Sequence, residues 1–417
     1  MITYYLFNFV AFKIGVSLHH CTVKMKSKIA PQRLKILFLP RWYPSKTDPM
    51  PGLFIERHAE VASHFADVAI LAIIPSKNLS EIEIEKQAHL YTLRYYFKLG
   101  QTGSLLINKL INQYRWVYAL LNGYRIVRKE MKGFDLLHVN VLTRLGLFAL
   151  LIRYIENTPY VITEHWTRYL NGGFKGKLRL KMTRLVVRNA KTVSIVTDNL
   201  WNSMQSYGMF NPNHLVLQNV VEDIWFAPEK VKDQPVKTSP GKFIHVSCFT
   251  DQSKNISGLL RVLARMNNSG IDFECILVGE GEDLEMLKGY AAELGLKSPQ
   301  VHFRGLLTGE PLLQAMRSAS FLVLFSNYEN MPVVINEAFA VGIPIIATDI
   351  GGISEQVKDW NGRLVEPRDE KALFSTILSF IEHTHNFDAE KIKTYAELWF
   401  SSRAIENQLK ELYADKK

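Results

Sequence analysis

Two doubly wound α/β domains facing each other across a cleft are the architecture this sequence predicts, on three observations. Short apolar, strand-like runs alternate with longer segments of helical period over most of the 417 residues, the pattern of parallel sheets covered by helices. The alternation stops once, at residues 227–241 (APEKVKDQPVKTSPG), where three prolines and several charges replace any apolar period and mark a linker. The charge changes sign at the same place. Residues 1–220 hold 29 Lys and Arg against 12 Asp and Glu, a net +17, and residues 221–417 hold 21 against 28, a net −7.

In the first domain (31–226), residues 34–39 (LKILFL) read as a short buried strand. A loop with Pro49, Pro51 and Gly52 follows, then a helix over 53–65. Further strands are expected at 68–74, 136–139, 160–163, 192–196 and 215–218, with long helices over 105–129 and 177–188. In the second domain (242–394), strands are expected at 243–247, 273–278, 321–325 and 344–347. The last segment (395–417) carries one amphipathic helix over 395–413, expected to pack back toward the first domain. No internal repeat, low-complexity tract or heptad is present. Ligands of such sheets bind at the carboxyl ends of the strands, which here line the cleft between the domains.

A hydrophobic content of 47% and a charged content of 22% fit a globular protein with two cores. Three widely spaced cysteines (Cys21, Cys248, Cys275) exclude a disulfide framework and a zinc ligand set, and fit a reducing compartment. The opening apolar stretch is interrupted by Lys13 and never reaches the roughly 18–20 residues of a spanning helix. It also lacks the layout of a secretory signal, so residues 1–30 read as a disordered or loosely attached extension, with a surface-anchoring helix as the alternative. The basic half calls for an anionic partner. Basic, partly apolar segments such as 114–129 and 175–188 suit an anionic membrane surface, and no nucleic-acid-binding module accompanies them.

The chemistry concentrates in 326–340, SNYENMPVVINEAFA. Glu329 and Glu337 have seven residues between them, and Pro332 stands where a helix would begin. Glu329 then lies in the loop after a strand, and Glu337 on the helix, sharing a face with Val333. Free amides around 331–334 would form an anion site, and a carboxylate at Glu337 can accept two hydrogen bonds from adjacent ribose hydroxyls. A solvated helix face with an incidental acid pair accounts for the spacing equally well when it is considered alone.

The segment resembles the E-x7-E motif of the family-four retaining glycosyltransferases of the GT-B fold. The resemblance continues through 276–287 (ILVGEGEDLEML), 301–307 (VHFRGLL) and 340–367 (AVGIPIIATDIGGISEQVKDWNGRLVEP), in order and over nearly the whole second domain. It implies that Glu337 binds the donor ribose and Glu329 the transferred sugar, with the loop Asn330, Met331, Pro332 and Val333 holding sugar and phosphate. Lys254, in HVSCFTDQSKNISGLL, resembles the lysine that holds the donor diphosphate, and Arg304–Gly305 fall where relatives place a loop beside the base. In the first domain, 40–58 (PRWYPSKTDPMPGLFIERH) resembles the family's first loop, where Gly52 would let the backbone approach donor and acceptor. His165, in YVITEHWTRYL, stands where relatives place a histidine beside the donor sugar, although backbone groups could equally satisfy it; His138 reads better as structural. One departure is plain: many relatives carry an arginine five or six residues before the lysine, and Cys248 and Phe249 stand there.

No D-x-D pair occurs, so neither a metal nor another cofactor is expected. The expected activity is retaining transfer of a sugar from a nucleotide-diphosphate donor to a glycan or lipid-linked acceptor, in surface polysaccharide synthesis. The expected location is cytoplasmic, peripheral on the inner face of the cell membrane. The alternatives are a catalytically silent partner binding donor or glycan, and a nucleotide-sugar epimerase of the same fold.

Overall fold

The computed structural model describes residues 33–142, 144–170, 172–228, 241–298, 300–383 and 386–414. The expected extension at 1–30 and almost all of the expected linker lie outside them. In chain order the first domain contains β1 (Leu34–Pro40), α1 (Leu53–Ser63), β2 (Ala66–Ser76), β3 (Ile82–Lys86), β4 (Leu90–Lys98), α2 (Leu105–Met131), β5 (Leu136–Asn140), α3 (Arg144–Glu156), β6 (Tyr160–Glu164), α4 (Lys177–Asn189), β7 (Val193–Ile195), α5 (Asp198–Ser206) and β8 (His214–Val216). Its eight described strands run in the order β3-β4-β2-β1-β5-β6-β7-β8, all parallel except β3 on β4.

The second domain contains β9 (Lys242–Val246), α6 (Asp251–Lys254), α7 (Ile256–Asn268), β10 (Glu274–Val278), α8 (Leu284–Glu293), β11 (Val301–Phe303), α9 (Gly309–Arg317), β12 (Phe321–Leu324), α10 (Val333–Ala340), β13 (Ile345–Thr348), α11 (Ile353–Gln356), β14 (Gly362–Val365), α12 (Glu370–His383) and α13 (Ala389–Phe400), with α14 (Ser402–Tyr413) after it. Six parallel strands run in the order β11-β10-β9-β12-β13-β14. Apolar runs such as LKILFL become central strands because helices cover both faces, so no alternation with polar residues is required.

The structure adds two outer strands, β11 and β14, to those expected in the second domain, and it departs from the sequence reading in two further places. The antiparallel β3–β4 pair was not among the expected strands. β3 (IEIEK) is mostly exposed and closes the edge of the sheet, where its charges discourage pairing with another chain. The expected single helix over 395–413 is two helices, because Ser401 is extended (φ −63°, ψ 156°) and its hydroxyl caps α14 by accepting from Ala404 N.

That break lets the chain change domains. Ile392, Ala396 and Phe400 of α13 pack in the second domain beside Ile335 and Phe339 of α10. Ile405, Leu409, Leu412 and Tyr413 of α14 pack in the first domain against Ile36, Phe38, Ile55 and Val161. There the Tyr413 hydroxyl shares a 2.9 Å hydrogen bond with His138 Nδ1, and His138 Nε2 meets Thr163 Oγ1 at 2.6 Å. His138 is therefore a buried structural group.

Candidate functional site

In the second sheet β9 leads to β10 on one side, while β12 pairs on the other, so the strand order reverses between β9 and β12. Loops leaving two strands at such a point diverge and open a crevice. The short helix α6 after β9 carries Lys254 and the loop after β12 carries Glu329, which is why residues 75 positions apart meet. Lys254 Nζ lies 2.5 Å from Glu329 Oε1, and Ser326 Oγ donates to the same oxygen at 2.9 Å. Asn327 N and Tyr328 N both donate to Ser253 O, fastening the loops together. The two charged side chains are only 16% and 10% exposed, so their attraction is little screened by water. Gly351 packs against the same loop: a Cβ there would stand 2.2 Å from Glu329 O, and its φ is +59°.

Pro332 precedes α10 and Val333 begins the helix; Ile335 N donates to Pro332 O at 3.1 Å, and the amides of Val333 and Val334 precede the first intrahelical bond. Glu337 projects from α10 into the interface and is 8% exposed. Burial raises its pKa, and Arg57 beside it opposes the rise. Arg57, from α1 of the first domain, donates to Glu337 Oε1 at 3.1 Å and to Glu222 Oε2 at 2.5 Å. Its Nε is buried without a hydrogen-bond partner. Arg57 lies in the first-loop segment PRWYPSKTDPMPGLFIERH, where the family resemblance points only to Gly52.

Asn330 closes on the first domain, accepting from Thr197 Oγ1 and donating to His165 O, both at 3.2 Å. Met331 packs in the core of the first domain, and its carbonyl accepts from Asn219. From α11, the Glu355 carboxylate takes the amides of Asp198 and Asn199 at 2.9 and 2.7 Å, at the positive end of α5. The E-x7-E segment is thus held between the domains by polar contacts.

His165 follows β6. Its backbone is anchored by Glu164, whose buried carboxylate accepts from the amides of Leu142, His165 and Trp166 at 2.8, 2.9 and 3.0 Å. The imidazole packs against Phe54 with ring centres 4.3 Å apart and the planes tilted by 43°, and its Nε2 is buried without a hydrogen-bond partner. Burial, with His58 and His138 nearby, holds its pKa well below the usual value and keeps it neutral. His58 bonds Gln218 O, and burial lowers its pKa to about 4.

Gly52 precedes α1 with φ +78°, and a Cβ there would lie 2.1 Å from Trp42 O. The close approach at this glycine is therefore to the chain's own backbone. Arg304 is exposed at the end of β11, and Gly305 O accepts from Gly279 N at 2.9 Å. Among the described residues neither bonds Lys254, Glu329 or Glu337. Phe249, at the departure from the family pattern, is fully buried in the core, and Cys248 is exposed. No group of three or more His, Cys, Asp or Glu among the described residues is placed to hold a metal ion.

Residues 227–399 match the family Glycosyl transferases group 1. N-acetyl-alpha-D-glucosaminyl L-malate synthase of Bacillus anthracis is 24% identical over 69% of this chain and 76% of its own. An O-antigen biosynthesis glycosyltransferase of Escherichia coli is 24% identical over 54% of this chain and 61% of its own. Anabaena HepE, solved in complex with UDP and glucose, superposes with a TM-score of 0.66 at 20% identity, over 91% of this chain and 98% of its own. Two parallel-sheet domains closed on an E-x7-E segment have the GT-B fold, and residues 227–399 of the chain belong to Glycosyl transferases group 1.

Proposed function

We propose that this protein transfers a sugar, with retention, from a nucleotide-diphosphate donor to a glycan or lipid-linked acceptor in surface polysaccharide synthesis. The observation that carries the reading is the Lys254–Glu329 ion pair at the β9–β12 switch point, eight residues before buried Glu337. The ammonium of Lys254 neutralises charge that builds on the leaving diphosphate. As it turns to phosphate it releases Glu329, which then accepts hydrogen bonds from the hydroxyls of the sugar. The first-turn amides of α10, at Val333, receive phosphate, and Glu337 takes the ribose hydroxyls while Arg57 keeps its hold on Glu222. Neutral His165 offers Nε2 to the sugar from the opposite wall.

In this reading a lysine and helix amides balance the diphosphate charge, so neither a metal nor a cofactor takes part. Leaving and attacking groups share one face of the sugar, through an oxocarbenium-like state. The acceptor side is the basic first domain, which we place on the inner face of the cell membrane against anionic lipid. No described helix is long and apolar enough to cross a membrane.

Thermal stabilisation by UDP-, GDP- and ADP-sugars, on wild type and Glu337→Ala, tests the donor site. One nucleotide is expected to raise Tm of the wild type and to lose most of that effect in the variant. Equal shifts in both proteins would remove Glu337 from the donor site, and no shift from any nucleotide would overturn the donor reading.

A further inference from the structure

The first sheet has a switch point of its own, between β1 and β5, since β2 pairs with β1 on the other side. A cavity of about 440 Å³ opens there, and arginines line it. Arg41 follows β1, Arg144 begins α3 after β5, Arg168 follows β6, and Arg179 sits in the first turn of α4. Buried Trp166 forms the floor. The guanidinium carbons of Arg41, Arg168 and Arg179 stand 4.4, 4.9 and 4.9 Å from the centre of its rings.

Four cations in one cavity repel each other, and among the described residues only the Trp166 ring and the nearby Glu164 carboxylate offset them. None of the four makes an ion pair among the described residues; Arg144 donates to the neutral Gln113 Oε1 at 2.7 Å. The one acid at this strand end, Glu164, is engaged by three backbone amides. Arg41 is held below the usual arginine pKa by burial; Glu164 opposes that, and Arg179, Arg168 and Arg144 add to it.

Two 13-residue helices, α3 and α4, start at the same place. Neither has an acid in its first turn, and arginines occupy ends where the helix dipole disfavours cations. Both features cost stability when the cavity is unliganded, and both become favourable around an oxyanion. Trp166 directly follows His165, whose carbonyl bonds Asn330, so the cavity adjoins the interdomain site on its acceptor side.

We propose that this cavity binds a phosphate or diphosphate ester carried by the acceptor, gripped by Arg41, Arg144, Arg168 and Arg179 over Trp166. Guanidinium forks match phosphate oxygens two at a time, and Leu142, Leu147, Leu178 and Met182 supply an apolar wall for the esterified group. The identity of the anion as an acceptor rests on the transferase reading; the anion site itself does not.

Calorimetric titration with inorganic pyrophosphate and with farnesyl diphosphate tests it, in a Lys254→Ala background so that the donor site does not compete. Both ligands are expected to bind at low salt. Arg168→Ala/Arg179→Ala, at surface-reaching side chains, should weaken them about a hundredfold, taking about tenfold per lost charged contact. With Lys254 restored, the same double variant should keep its thermal shift with the nucleotide sugar.

Tighter binding of the farnesyl ester supports a lipid-borne phosphate, and equal binding supports a water-soluble one. Absent binding, or affinity unchanged in the double variant, overturns the inference even if the donor shift is intact. If no nucleotide sugar shifts the wild type but the arginine variant loses pyrophosphate, the anion site stands and the transferase reading fails.

Discussion

Lys254 and Glu329 hold each other at 2.5 Å in a nearly dry crevice, so each compensates a charge that would otherwise be costly to bury. Lys254→Ala should lower kcat by about 10²–10³-fold, the usual cost of removing one charge-stabilising donor, measured as sugar transfer under donor saturation. Glu329→Gln keeps the shape and a hydrogen-bond acceptor for Ser326 but leaves the Lys254 charge unpaired, so Tm should fall along with transfer. Full activity in both variants would remove the pair from the mechanism. These residues stood out through the resemblance of one short segment, SNYENMPVVINEAFA, and one lysine to the family pattern, and the structure brings the two side chains together. Arg57 was not legible. It reaches Glu337 across 280 positions, and no local period marks a side chain whose partners lie in another domain. Gly52 was legible as a point of close approach, but its neighbour, the Trp42 carbonyl, is knowable only from the folded backbone.

Element existence followed from period. Each expected strand of the parallel sheets is present within a residue or two, because an apolar run flanked by turn residues is enough to identify a buried strand. β3 escaped because it is a mostly exposed edge strand whose glutamates pair with Arg94 of β4, and the junction at Ser401 because an apolar period carries across a one-residue break. The exposed side chains of α2 show what period leaves open. Leu106, Leu110 and Tyr114 recur every fourth residue and stay exposed, although burial is what usually stabilises such a stripe. With Lys109 and Arg115 on the same helix, this face suits an anionic bilayer, each nearby cation adding about 1 kcal/mol. Leu106→Glu/Leu110→Glu should co-sediment less with phosphatidylserine vesicles at low salt and keep the wild-type Tm. Undiminished sedimentation would exclude this face.

Across the whole molecule, burial holds four histidines (His58, His138, His165, His245) below their usual pKa. A histidine depressed on folding contributes stability that is complete above its unfolded value near 6.5 and is lost as pH falls toward the folded value. For His58 that window runs from about 6.5 to about 4, equivalent to roughly 3 kcal/mol. Glu56, Glu60, Glu164 and Glu337, raised by burial, act in the opposite sense, so the sum over all groups is a poor test. The comparison with His58→Gln isolates one group. Between pH 7 and pH 4, chemical denaturation should show wild type losing roughly 3 kcal/mol relative to the variant. Parallel profiles would mean that His58 titrates normally.

The His138–Tyr413 contact joins positions separated by 275 residues, and it has a consequence for how the chain is made. α14 fills a hydrophobic face of the first sheet, so that domain leaves the ribosome with part of its core bare. At about 5–20 residues per second, roughly ten to forty seconds of translation separate the end of β8 from the arrival of Tyr413. During that interval the nascent first domain offers a greasy slot shaped for one helix, a natural place for a chaperone to wait.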